Sequence, residues 1–194
     1  MGVRIGVLAL QGDVSEHIDT FRRALAESGL SEGSEVFTVR RPDQIPSCDG
    51  LAIPGGESTT ISRLIDKNGM RRSLEEFRGG IFATCAGLIL LAKVVPDPRV
   101  KPLGLLDIDV ERNAFGRQKD SFEADLVIPG LDTPFHAVFI RSPVISRIGD
   151  GVEVLAEVDG APVAVRQGKR WGFAFHPELS GDTRLHRRFL EALG

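Results

Sequence analysis

The sequence has few of the residues that define several common classes of protein. Among its 194 residues are two cysteines, Cys48 and Cys85, so a framework of disulfide bonds is not expected. Neither cysteine belongs to a Cys-x-x-Cys pair, and the four histidines are not spaced as ligands on one helix face, so we expect no metal centre and no cofactor. No apolar run approaches the roughly 18 residues of a membrane-spanning helix. We therefore expect a cytoplasmic protein that makes no contact with a membrane.

An excess of positive charge is also missing. The formal net charge is −3, and acidic and basic residues alternate along the chain. Nucleic-acid binding needs a basic surface, so we expect no nucleic-acid partner. The hydrophobic share of 42% is enough for a globular core, and no low-complexity linker divides the chain. We expect residues 1–194 to form a single domain.

What the sequence does contain is an alternation of short apolar runs and amphipathic segments. This pattern predicts an α/β fold, a three-layer sandwich whose central, mostly parallel sheet carries helices on both faces. In the first half, strands are predicted at residues 3–10, 35–40, 49–53 and 80–84. Helices are predicted at residues 14–27 and 88–93, and a further helix, capped by Ser58 or Thr59, carries Ile61, Leu64 and Ile65 on one face. In the second half, strands are predicted at residues 105–111, 121–127, 135–140, 152–158, 162–167 and 171–175. Short turns between these strands favour some antiparallel pairing, and a last helix is predicted at residues 184–193.

Cys85 lies where an apolar strand runs into a helix. Its neighbours Ala83, Ala86 and Gly87 are small, as a sharp turn requires when a substrate must approach the backbone. This is the pattern of a nucleophile elbow, which holds a reactive side chain away from the sheet. A buried core cysteine is the alternative, and this segment alone leaves both open.

A nucleophilic thiol needs a base and a group that orients the base. His176 follows an apolar strand, and Glu178 comes two positions later, on the same side of an extended segment. The turn at Gly55 and Gly56 could direct backbone N–H groups at an oxyanion, although a plain turn is the simpler interpretation. We expect the other histidines to be structural: His17 lies on the first helix, His136 in a strand, and His186 on the solvent side of the last helix.

Together these pieces resemble the class I (triad) glutamine amidotransferases, most closely the glutaminase subunits of pyridoxal 5′-phosphate synthases. The resemblance covers almost the whole chain and departs from the class at Ala83, where the elbow usually carries glycine. Its motifs are Gly-Val-Leu-Ala-Leu-Gln-Gly at 6–12, Pro-Gly-Gly-Glu-Ser-Thr-Thr at 54–60, Thr-Cys-Ala-Gly-Leu at 84–88, Val-Glu-Arg-Asn-Ala-Phe-Gly-Arg-Gln at 110–118, Ser-Phe-Glu-Ala-Asp at 121–125, Phe-Ile-Arg-Ser-Pro at 139–143 and Phe-His-Pro-Glu-Leu at 175–179.

The resemblance implies that Cys85 is the nucleophile, His176 the general base and acid, and Glu178 its orienting carboxylate. L-Glutamine would be the substrate, and the ammonia would pass to a lyase-type pyridoxal 5′-phosphate synthase subunit in a large hetero-oligomer. The resemblance further implies glutamine contacts from Gly56, Glu57, Ser58, Arg112, Ile140 and Arg141. For the reaction we expect an oxyanion hole at Gly56 and Ala86, and our candidate for the partner-sensing element is Gln11 with Gly12, at the end of the first strand. Two alternatives stay open at this point: a glutaminase that serves another acceptor synthase, and a non-catalytic thiol-containing binding protein of the same fold.

Overall fold

A computed structural model describes residues 2–112 and 121–194 of the chain. Its strands are β1 (Arg4–Leu8), β2 (Glu35–Val39), β3 (Gly50–Ile53), β4 (Gly80–Thr84), β5 (Ile108–Glu111), β6 (Ser121–Leu126), β7 (Phe135–Ile140), β8 (Val144–Ile148), β9 (Glu153–Val158), β10 (Ala161–Gln167) and β11 (Arg170–Phe173). Its helices are α1 (Val14–Glu27), α2 (Ser58–Lys67), α3 (Arg71–Glu75), α4 (Ala86–Leu91) and α5 (Arg184–Glu191), with short 3-10 turns at Pro42–Ser47 and Pro177–Leu179.

The main sheet runs β2-β1-β3-β4-β11-β10-β9. The first five strands in this order are parallel, whereas β10 is antiparallel to both β11 and β9. Two further antiparallel pairs, β5–β8 and β6–β7, lie outside this sheet. The predicted α/β class, with a mostly parallel sheet and antiparallel strands in the second half, is confirmed.

Strand β8 is a finding that the sequence did not predict. It pairs with β5, and of its five residues only Ile145 is buried. A strand with a single buried residue shows no apolar alternation, which is the signal that identifies strands in a sequence. The predicted strand at 105–111 also begins later than expected, at Ile108.

Helices cover both faces of the sheet. Neighbouring residues along a strand point to opposite faces, so the side chains of Phe82 and Ala83 lie on opposite faces of the sheet. The ring of Phe82 packs against Phe21 of α1 and Phe189 of α5. On the other side, a Cβ on Gly172, which pairs with Ala83 in register, would lie 2.5 Å from the Leu88 side chain of α4. The layers therefore place α1 and α5 on one face and α4 on the other.

One prediction about the last helix was wrong. His186 is fully buried rather than solvent-facing, and its ring lies 4.7 Å from Phe21 and 4.6 Å from Phe82, measured between ring centroids. Helix α5 packs against α1 as well as the sheet, so its buried face is wider than the apolar stripe in its sequence. In the described part of the chain, no helix has the length and apolar character needed to cross a membrane.

Candidate active site

The turn between β4 and α4 carries Cys85 in a strained conformation. Its φ is 48° and its ψ −102°, a region that costs a non-glycine residue about 1–3 kcal/mol and that tends to occur at functional sites. The backbone holds it there, because the N–H of Cys85 donates to the carbonyl oxygen of Phe173 in β11 at 2.8 Å. A Cβ on Gly87 would lie 2.1 Å from the carbonyl oxygen of Ile53, so only glycine fits there. Ala83 lies in the regular strand β4 without a positive φ, so alanine fits this position of the elbow.

His176 and Glu178 form a close, buried pair. Nδ1 of His176 lies 2.8 Å from Oε1 of Glu178, whose side chain is fully buried. The reason given from the sequence was wrong, because the segment is not extended. Pro177–Leu179 is a 3-10 turn, and this turn brings the carboxylate back under the ring. With Nδ1 bound to a carboxylate, Nε2 remains for a reacting group, as in a catalytic triad.

The carboxylate of Glu178 is held from behind by two more polar side chains. Its Oε1 accepts from the hydroxyl of Thr84 at 3.4 Å and lies 3.5 Å from Nε2 of His17. His17 Nε2 is also 3.0 Å from the Thr84 hydroxyl oxygen, and a proton on Nε2 satisfies both contacts. Burial opposes ionisation, but His17 and His176 outweigh it and hold the pKa of Glu178 well below its usual range. His17 is therefore structural, as predicted, but it supports the site directly.

A pocket of about 460 Å³ opens above these groups. Cys85 and His176 line it together, and the Cys85 thiol points toward the carbonyl oxygen of Ile140, 3.8 Å away. All six residues that the resemblance assigned to glutamine reach the same pocket. They are Gly56, Glu57, Ser58, Arg112, Ile140 and Arg141. Residues 113–118, on which part of the resemblance rested, lie outside the described residues.

The mouth of the pocket carries a network of charges. Nη2 of Arg112 lies 3.0 Å from Oε1 of Glu57, and Nη1 of Arg112 pairs with Asp97. Glu57 also caps α2, because its carboxylate accepts from the N–H groups of Thr59 and Thr60. Burial opposes ionisation, but hydrogen bonds from the side chains and the N–H groups of Thr59 and Thr60 lower the pKa of Glu57 to about 2. The sequence suggested that Ser58 or Thr59 caps this helix, which was wrong, and it gave no signal for Asp97.

The loop at Gln11 and Gly12 lies behind the pocket, against the Gly55–Gly56 turn. The Glu57 N–H donates to Oε1 of Gln11 at 2.8 Å. A Cβ on Gly12 would lie 1.7 Å from the carbonyl oxygen of Gly55, and Gly12 has a φ of 102°. Gly56 has a φ of 145°, and a Cβ there would lie 2.6 Å from the Gln11 side chain. The two loops are therefore in close contact, and neither tolerates a side chain at its glycine.

Asp13 is a further acidic group at the site that sequence reasoning missed. Its Oδ2 lies 3.3 Å from Nδ1 of His176, and its side chain lines the pocket. Burial of the imidazole opposes protonation, but hydrogen bonds with Asp13, Cys85 and Glu178 outweigh it and raise the pKa of His176 to about 12. Among the described residues, Asp13, His176 and Glu178 are the group whose ligand atoms lie close enough for a metal ion, within 4.8 Å of one another. Hydrogen bonding to His176 already accounts for this spacing.

Comparison with known proteins identifies the family to which this fold and pocket belong. The model of the SNO glutamine amidotransferase family matches residues 7–194, and the chain belongs to this family. It is thus a glutaminase, an enzyme of the glutamine amidotransferase class, and the resemblance predicted from the sequence is confirmed.

Individual relatives are similar over nearly their whole length. A Methanoregula boonei protein named pyridoxal 5′-phosphate synthase subunit PdxT is 61% identical over 193 residues, which cover 99% of this chain and 100% of that protein. A Methanosphaerula palustris protein of the same name is 61% identical over 194 residues, covering 100% of this chain and 99% of that protein. A crystal structure described as a glutamine amidotransferase is 48% identical, with a TM-score of 0.86 and 98% of both chains covered.

Proposed function

We propose that this glutaminase cleaves the side-chain amide of L-glutamine through Cys85, His176 and Glu178, giving L-glutamate and ammonia. The observation that supports it most is that the Cys85 thiol and the His176 imidazole line one pocket, with the Glu178 carboxylate 2.8 Å from Nδ1 of the imidazole, although Cys85 lies far from both in the sequence. The strained φ of Cys85 is what a nucleophile elbow requires.

The proposed reaction has two halves. In the first, the Cys85 thiolate attacks the amide carbon, and the C–N bond breaks as the His176 imidazolium gives its proton to the departing ammonia. In the second, neutral His176 takes a proton from water, which attacks the thioester and releases glutamate and the thiolate. The N–H groups of Gly56 and Ala86 would stabilise the oxyanion in both halves. Glu178 stabilises the imidazolium and fixes the tautomer of the neutral ring.

The charges at the pocket mouth suit the two ends of glutamine. The substrate carries an α-amino group and an α-carboxylate, so its site needs one acidic and one basic partner. Glu57 and Arg112 provide these, and a guanidinium can bind a carboxylate through two parallel hydrogen bonds. In the structure these two side chains pair with each other. Substrate binding would exchange that ion pair for one contact with each end of glutamine.

We propose further that the ammonia passes to a separate synthase subunit, which makes pyridoxal 5′-phosphate from a pentose phosphate and a triose phosphate. The names of the M. boonei and M. palustris relatives support this acceptor. Ammonia released into neutral water is mostly protonated and loses its nucleophilicity, so a shielded route between subunits is chemically sensible. The contact between Gln11 and the Glu57 N–H makes this loop our candidate for sensing the partner.

Replacing each cysteine in turn tests the chemistry. We expect Cys85→Ala to abolish ammonia release from glutamine, whereas Cys48→Ala retains it. Burial raises the pKa of the Cys48 thiol to about 11, which makes Cys48 a matched unreactive control. A glutamine-analogue electrophile should label Cys85 selectively, with protection by glutamine. Full turnover by the Cys85→Ala variant would contradict the mechanism, and labelling that glutamine does not prevent would favour a non-catalytic thiol.

Addition of the partner tests the acceptor. We expect the chain to co-purify with the pyridoxal 5′-phosphate synthase subunit of its own organism and to release ammonia faster in its presence. Replacement of Gln11 by alanine should remove the acceleration. Equal rates with and without the subunit would rule out partner control, and co-purification with a different synthase would overturn the proposed acceptor.

A further inference from the structure

Asp13 lies at a helix N-cap, but its side chain does not cap the helix. It is the N-cap residue of α1, a place where aspartate usually accepts a hydrogen bond from the first turn of the helix. Here the carboxylate makes no such capping bond. It extends instead to His176, whose Nδ1 lies 3.3 Å from its Oδ2. The helix forgoes a cap worth about 1 kcal/mol, and the carboxylate faces the pocket.

Two carboxylates therefore lie beside a single N–H, and Glu178 accepts its hydrogen bond. Nδ1 of His176 carries one proton, with Glu178 at 2.8 Å on one side and Asp13 at 3.3 Å on the other. The two acids differ in their surroundings. The side chain of Glu178 is fully buried and held by Thr84, whereas 34% of the Asp13 side chain is exposed. Glu178 is therefore held in place, whereas the Asp13 carboxylate is accessible to what enters the pocket.

The same residue is attached to the turn that would form the oxyanion hole. The Asp13 N–H donates to the carbonyl oxygen of Gly55 at 3.3 Å. A Cβ on Gly55 would lie 2.5 Å from Cε1 of His176 and 2.9 Å from Oδ2 of Asp13, so this turn, the ring and the carboxylate are in direct contact. A movement of the Gln11–Asp13 loop would therefore move both the turn and the charge beside the imidazole.

We propose that Asp13 is a positioning residue for His176: its negative charge, beside the N–H that Glu178 accepts, keeps the ring protonated, and its carboxylate fixes the ring against the Gly55 turn. This inference rests on the proposed function insofar as His176 is the general acid and base. An imidazolium is the form that gives a proton to departing ammonia. The charged and titratable groups that face the ring or line the same pocket are Asp13, Cys85 and Glu178, with His17 behind Glu178, and Glu57, Arg112 and Arg141 at the pocket wall.

The test measures the proton on His176 directly. The full chain is labelled with ¹⁵N-histidine and titrated by NMR, and the His176 signal is identified by its loss in His176→Gln. Asp13→Asn keeps the size of the side chain and removes its charge. We expect this change to lower the titration midpoint of His176 by about 1–3 pH units, the effect of losing an opposite charge at this distance. Asp13→Glu should restore most of the shift.

The midpoint of the intact chain lies near the alkaline limit of such an experiment. The comparison is therefore repeated on a Glu178→Gln background, where the loss of one carboxylate brings both midpoints into range. Asp19→Asn is the matched control, since it removes an exposed acidic charge from the same helix. On the Glu178→Gln background, we compare the His176 titration midpoints of Asp13→Asn and Asp19→Asn. Equal midpoints in the two variants would overturn the proposal.

Kinetics give a second readout that separates this inference from the proposed function. The limb of the kcat pH profile that reports His176 should move to lower pH in Asp13→Asn, whereas a merely structural loss would lower the rate at every pH equally. Loss of ammonia release in Cys85→Ala, with no shift in Asp13→Asn, would overturn the inference alone. Unchanged release in Cys85→Ala would overturn the proposed function, whatever the NMR midpoint of His176.

Discussion

The hydroxyl of Thr84 connects three parts of the site, and its removal gives the sharpest test of the network. It accepts from the N–H of Gly55 at 3.1 Å and from Nε2 of His17 at 3.0 Å, and it donates to Oε1 of Glu178 at 3.4 Å. Thr84 is fully buried, so water cannot replace it. Thr84→Val keeps the shape of the side chain and removes every one of these contacts.

The expected cost follows from the groups that are left without a partner. A buried donor that loses its acceptor costs about 1–3 kcal/mol, and Thr84→Val leaves the Gly55 N–H in this state, whereas His17 keeps Oε1 of Glu178 at 3.5 Å. The Glu178 carboxylate also loses its hydrogen bond from the hydroxyl, and a bond to a charged group contributes about 1.5–3 kcal/mol. The free energy of unfolding should therefore fall by about 2.5–6 kcal/mol. The additional buried methyl group offsets less than about 1 kcal/mol of this loss. Because the Gly55 turn and Glu178 both lose an anchor, kcat should fall as well.

Urea unfolding at neutral pH measures the effect, with Thr84→Ser as the matched control. Serine keeps the hydroxyl and loses only a methyl group, a change that costs about 0.5–1.5 kcal/mol in a packed core. We expect Thr84→Val to be clearly less stable than Thr84→Ser. Equal stability of the two variants would refute the reasoning, because it would mean that the three hydrogen bonds contribute nothing beyond packing.

Three further predictions address separate parts of the molecule. Burial lowers the pKa of His186 to about 3, so between about pH 6.5 and 3 the unfolded chain binds a proton that the folded chain does not. In urea unfolding, the free energy of unfolding should thus decrease as the pH is lowered through this window. The variant His186→Leu should show a weaker dependence of this free energy on pH. Asp97→Asn removes a partner of Arg112 and should raise KM for glutamine about tenfold while changing kcat less. A fall in kcat as large as the rise in KM would contradict this. Gly55→Ala should lower kcat about a hundredfold at similar KM, since its Cβ displaces the His176 ring, and normal turnover would contradict the geometry.

The sequence predicts those parts of the site whose residues lie close together along the chain. The elbow at Cys85 needs small neighbours within three positions, and the pair of His176 and Glu178 lies within one turn. Even there the predicted contact between Glu178 and His176 forms for a different reason, since a 3-10 turn rather than an extended segment brings the carboxylate to the ring. Turn geometry depends on Pro177 and on packing, which residue spacing alone does not reveal.

The supporting residues could not be predicted because long-range pairing creates their contacts. His17 and Thr84 are 67 positions apart and meet only because α1 packs over the sheet beside β4. Asp13 has the sequence signature of a helix cap, and nothing in its neighbours shows that its carboxylate is directed elsewhere. His186 likewise becomes buried only because α5 packs against both α1 and the sheet. Periodicity identifies the helix but not how wide a face is covered.

The pairing of β4 with β11 has a consequence for how such a chain is made. These adjacent parallel strands bring residues 80–84 against residues 170–173, and each delivers one half of the reactive constellation. A ribosome must therefore synthesise most of the polypeptide before the thiol meets its imidazole. In the proposed mechanism, a chain that ends before His176 lacks the general base and does not cleave glutamine. Recovery of turnover after dilution from denaturant would accordingly require this pairing of β4 with β11.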